Sequence, residues 1–120
     1  MKVFVYFNLR RQLWSLKALE GSNRGRVIAH RKVVALSDCE FKVSEAGRRR
    51  VLREGRKNVH AGVVGYWRRK VISRGLSRAV TYNPFKGPTF IDCQTVSPIF
   101  SAPRALLRDR RAYIPARQAV

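Results

Sequence analysis

The chain is short of acid. Its 120 residues hold 7 Asp and Glu against 26 Lys and Arg, a formal charge of +19. The few carboxylates are dispersed, so no cluster offers itself to the divalent ions that nucleases use. Histidine is equally scarce: His30 and His60 are the only two, and each sits inside a β-prone run, where a lone imidazole is ordinarily structural. Cys39 and Cys93 are the only cysteines. With no CxxC and no histidines at metal spacing they make no zinc site, and two isolated cysteines read as free, reduced thiols. P-loop, G-x-G-x-x-G and G-x-S-x-G patterns are missing as well. These absences argue against an enzyme and against any cofactor or metal. Hydrophobic runs are short, and none approaches the roughly 18 apolar residues of a membrane span. Val3–Phe7, after Lys2, is too brief for the core of a secretion signal. The expected location is the cytoplasm.

What the chain has in excess is arginine, 19 of the 26 cations. A charge this high acts on partners more than on fold, and its candidate partners are nucleic acid, an anionic membrane surface or an acidic protein surface. The most strongly patterned stretch is Ser44–Lys57, SEAGRRRVLREGRK. Ser44 suits an N-cap and Glu45 the positive end of the helix dipole, which predicts a helix over about residues 44–57. Stepping about 100° per residue gathers Arg49, Arg50, Arg53, Arg56 and Lys57 into one wedge. Gly47, Val51, Leu52 and Gly55 fall opposite, interrupted by Arg48. A charged helix face is ordinarily a solvated face. Solvated faces mix signs, however, and this one is nearly all arginine, whose planar fork suits phosphate and carboxylate. Gly55 is ambiguous: as a C′ residue it would end the helix and take Arg56 and Lys57 off the ridge. The apolar side is too small and too rich in glycine for a membrane-surface helix.

Before and after this stretch the period is two. Val3–Leu9 and Gln12–Leu19 read as a hairpin, followed by β-prone runs at Val27–His30 and Val33–Val43. Asn58–Trp67, Ala79–Tyr82, Thr89–Cys93 and Arg104–Leu107 read as strands, with Gln94–Pro103 as a loop and Val71-Ile72 as a short apolar piece. Ala112–Ile114 adds a short edge strand. The fold class expected is α+β, mainly antiparallel β, a small barrel or curled sheet with the helix across it. Residues 1–114 form one domain and residues 115–120 a tail.

FVYFNL…LWS at 4–15, GRVIAH at 25–30, FKVSEAGRRRVLRE at 41–54, KNVHAGVVG at 57–65 and YNP…TFIDC at 82–93 together resemble a family of small uncharacterised proteins encoded by bacteriophages and prophages. The resemblance implies a setting, the bacterial host cytoplasm during infection, and brings no activity to transfer. The function expected from the residues is nucleic-acid binding, with phosphates met by Arg48, Arg49, Arg50, Arg53, Arg56 and Lys57. Arg68 and Arg69 are flanking contacts, as are Arg26 and Arg74. Among Tyr6, Trp14, Tyr66, Trp67, Tyr82 and Phe85, the aromatics available to stack on unpaired bases, Trp67 and Tyr82 are the best placed. No RNP motif, KH loop or helix-turn-helix appears, so DNA and RNA stay equally open. The alternative is a phage-encoded modulator that binds an acidic surface of a host protein or ribonucleoprotein complex, since arginine, tryptophan and tyrosine also dominate protein interfaces.

Overall fold

The computed structural model describes residues 1–71 and 73–116. The strands are β1 (Lys2–Asn8), β2 (Leu13–Ala18), β3 (Val27–Arg31), β4 (Val34–Val43), β5 (Ala61–Arg68), β6 (Leu76–Thr81), β7 (Phe90–Asp92), β8 (Ser97–Ile99), β9 (Ser101–Arg108) and β10 (Arg111–Pro115), with α1 (Glu45–Glu54) between β4 and β5. They form a 10-stranded sheet in the order β3-β2-β1-β5-β4-β9-β10-β6-β7-β8. Every pairing is antiparallel. Because β3 and β8 end the order, the sheet is open, and of the two forms expected it is the curled one.

The curl follows from where the apolar side chains sit. Val3, Val5, Leu16, Val34 and Leu107 are all at 0% exposure, and one cluster joins β1, β2 and β3 to β6, β9 and β10. A flat sheet would leave that face wet; bending it over itself buries both halves against each other. At roughly 25 cal/mol per Å² of apolar surface, burial on this scale is what offsets the entropy of ordering the chain. A smaller cluster of Ala35, Leu76 and Leu106 occupies the opposite face.

Four features depart from the sequence reading. The helix stops at Glu54, because Gly55 takes the left-handed conformation (φ 68°) and its N–H closes onto the Val51 carbonyl. Arg56 and Lys57 therefore lie beyond the helix, in the connector to β5. The helix also does not lie across the sheet. Val43 pairs with Ala61, so α1 is an excursion at the tip of the β4–β5 hairpin. A Cβ on Gly47 would collide with the Cβ of His60, which is how closely the helix seats there. Third, the segment read as a loop over 94–103 contains β8. Pro98 is tolerated because β8 is the outermost strand of the sheet. Fourth, β10 is no edge strand. It runs between β9 and β6 with Ala112 and Ile114 buried, and it takes in Pro115, which belongs to the strand and not to the tail. Ile72 and residues 117–120 fall outside the described residues.

In β4 the buried set runs Val34, Leu36 and then Cys39, Phe41, a phase slip that a bulge between Ser37 and Glu40 produces, with Asp38 at φ 51°. Burial pushes the Cys39 thiol up to about 12, and the Asp38 carboxylate adds to the shift. Cys93 is exposed, and neither sulfur is in a disulfide.

Candidate functional site

Only Val51 of the helix is buried. Arg49 and Arg53 are three-quarters exposed, each within ion-pair distance of a glutamate, Arg49 Nε 3.4 Å from Glu45 and Arg53 Nη2 3.8 Å from Glu54. Arg50, Arg56 and Lys57 are exposed and have no ion-pair partner among the described residues. The five cations of the sequence-derived wedge are thus all at the surface, three on the helix and two on the connector that follows it.

Arg48 is different. Its side chain is 18% exposed, and its Nε donates to the carbonyls of Pro84 and Gly87, each at 3.0 Å, while Nη1 lies 3.4 Å from Glu45. The position that interrupts the apolar side of the wedge is a strut between α1 and the β6–β7 turn, and it has little left for a phosphate. Arg48→Ala should cost about 1.5–3 kcal/mol, because two carbonyls lose a charged donor. Arg49→Ala should stay within about 0.5 kcal/mol. Urea unfolding of the two variants checks the contrast.

The aromatic candidates are also redistributed. Trp67 is half-buried against the core, with the guanidinium of Arg31 5.5 Å and that of Arg69 5.7 Å from its ring centre. Two of the protein's own cations thus already lie within cation–π range of the ring. Arg68 points elsewhere, donating from Nε to Ser37 Oγ at 2.8 Å. Trp14, 7% exposed, belongs to the core, whereas Tyr66 (40%) and Phe85 (65%) are open. Tyr82 is half-buried. Its hydroxyl is 2.7 Å from His60 Nε2, its ring centre is 5.3 Å from that of Phe90, and Phe90 lies 5.3 Å from Phe41. Burial raises the Tyr82 phenol above its ordinary range, against the pull of Arg48. His60 is thereby a structural partner of Tyr82 and Asn58, and His30 bonds Ser15 Oγ at 2.9 Å.

Helix end, connector and β6–β7 turn together face the β1–β2 hairpin across a cleft of about 680 Å³. Val51, Lys57 and His60 form one wall, Tyr82 and Phe85 another, and Phe7, Asn8 and Trp14 the third. Arg110 lines it from the two-residue β9–β10 turn. Both turn residues have positive φ, Asp109 at 52° and Arg110 at 63°, the geometry that matches a hairpin's twist. That turn carries the Arg110 guanidinium to 5.1 Å from the Phe7 ring centre and its Nη2 to Gln12 Oε1. Asn83 Oδ1 accepts from Phe85 N–H at 2.9 Å, and the Asn83 carbonyl accepts from Lys86 and Gly87, so the turn bearing Phe85 is ordered. Sequence reasoning found Lys57, Tyr82 and Phe85 and missed Phe7, Asn8 and Arg110 as neighbours. Gln12 and Arg110 are 98 residues apart, and no local pattern announces the pairing.

Among the described residues no group of three or more His, Cys, Asp or Glu is placed to hold a metal, and no helix is long and apolar enough to cross a membrane. The family model described as "Mycobacterium phage L5 gene 82 protein" matches residues 1–115. The gene 82 protein of Mycobacterium phage L5 is 38% identical over 115 residues, covering 91% of each chain. No solved structure matches the chain.

Proposed function

Because the chain belongs to the family of the Mycobacterium phage L5 gene 82 protein, a family of small phage proteins, we propose that it acts in the host cytoplasm as a non-enzymatic nucleic-acid-binding protein. The observation that carries the reading is the group of exposed cations at one end of the molecule, Arg49, Arg50, Arg53, Arg56 and Lys57, three of them without a carboxylate partner among the described residues. Like charges at helical spacing repel by about 0.2–0.5 kcal/mol per pair. A polyanion removes that cost and releases its own counterions on binding. Arg68 and Arg69 carry the same charge to another part of the surface.

Measured on duplex DNA, log K should fall with log salt, and replacing all five cations with Gln should flatten the slope by about 4.5, or about 0.9 for each phosphate no longer neutralised. An unchanged slope excludes this surface. The fold should survive, because none of the five side chains is buried.

A second reading, a modulator that binds an acidic surface of a host protein or ribonucleoprotein complex, draws on Trp67 between Arg31 and Arg69. A pull-down from bacterial lysate separates the two. Partners released by nuclease treatment support nucleic acid, and an acidic protein retained afterwards supports the modulator.

A further inference from the structure

The cleft beside the cations has a property that a phosphate-binding surface does not need. Its walls are aromatic, with Phe7, Trp14, Tyr82 and Phe85 among them, and Phe85 is 65% exposed at its mouth. Its charged lining residues are Lys57 and Arg110, with no carboxylate.

The geometry points to a nucleobase pocket: the cleft between the β1–β2 hairpin, the α1–β5 connector and the β6–β7 turn receives an unpaired base of single-stranded nucleic acid. The base stacks against Phe85 and Tyr82, and Lys57 and Arg110 meet the phosphates on either side. Stacking needs only a π-face, so every base qualifies. A volume of about 680 Å³ holds a base with its sugar, within the 300–1,000 Å³ typical of small-molecule sites. A paired base cannot enter, so the pocket predicts a preference for single strands that phosphate contacts alone do not give. The inference rests on the polyanion reading above, since Lys57 belongs to both surfaces.

Trp67→Phe leaves Trp14 as the sole tryptophan reporter. In that background an oligothymidylate, an abasic oligomer of the same phosphate count and a blunt duplex are titrated at one salt concentration, with and without Phe85→Ala. The expected result is a change in Trp14 emission with oligothymidylate only. Phe85→Ala, at an exposed position, should weaken oligothymidylate binding roughly five- to 150-fold, the range associated with stacking one base, and leave the abasic and duplex affinities unchanged. Equal binding of the oligothymidylate and abasic chains with no change in Trp14 emission overturns the pocket and leaves the polyanion reading standing. Binding of none of the three overturns both.

Discussion

Asp92→Ala should remove about 3–5 kcal/mol of stability. That is a large part of the roughly 5–15 kcal/mol that holds a domain of this size together. Asp92 is 4% exposed and lies on β7 opposite Val80. Its Oδ2 is 3.0 Å from Nε of Arg78, whose side chain is 18% exposed, and its Oδ1 accepts the backbone N–H of Gln94 at 2.9 Å. One carboxylate thus neutralises a cation held near the core and also fixes the turn that leads into β8. Truncation leaves Arg78 unpaired in surroundings that solvate it poorly, and it frees the last two strands of the sheet. Asp92→Asn keeps the side chain's shape and the acceptor for Gln94 while losing the charge, so it should fall between Ala and the parent. Urea unfolding of the three proteins measures the series. A loss below about 1 kcal/mol for Ala would place the pair with exposed ion pairs, which contribute little.

Much of the fold was legible because the residues facing the main core alternate within several strands, Ala112 and Ile114 of β10 among them, even where β2, β4 and β9 also bury the residue between. In β2 the alternating set Trp14, Leu16 and Ala18 is the inward-facing one; β1, apolar on both alternating sets and so legible as a strand covered on both faces, buries Val3 and Val5 and leaves Phe4, Tyr6 and Phe7 half-buried. The helix was legible from Ser44, whose hydroxyl accepts from Gly47 N–H at 3.2 Å. What stayed hidden depends on partners far along the chain. Ser15 looked like a solvent position in its strand, yet it is fully buried because His30 and Asn8 satisfy its hydroxyl. Arg48 looked like one cation among six, and its carbonyl partners lie 36 and 39 residues away. Chain-end position suggested an edge for β10, but strand order follows which residues bury, and Ala112 and Ile114 need neighbours on both sides. The candidate site divides in the same way. The exposed cations could be read from sequence, while the cleft beside them is made of segments from both ends of the chain that only the curl of the sheet brings together.

Leu36→Ala should cost about 2–5 kcal/mol, the range for truncating a buried leucine. Leu36 is 2% exposed and occupies the centre of the sheet, opposite Trp67 on β5 and Ala105 on β9. It also sits immediately before the β4 bulge, so it is the last residue of one buried phase before Cys39 begins the next. The site collapses poorly, since Gly65 and Ala105 beside it have no side chain long enough to fill the gap. Directly opposed side chains on one sheet face lie about 4.5–5.5 Å apart at Cβ, so the cavity opens beneath the Trp67 ring. Its packing against Arg31 and Arg69 should loosen with it. Leu36→Ala should therefore lower the urea midpoint and, in a Trp14→Phe background, shift native-state Trp67 emission to the red. Leu52→Ala, at a helix position 43% exposed, should change stability by no more than about 0.5 kcal/mol and leave that emission where it was. The pair of variants separates burial at the sheet's centre from apolar surface that the helix leaves in water.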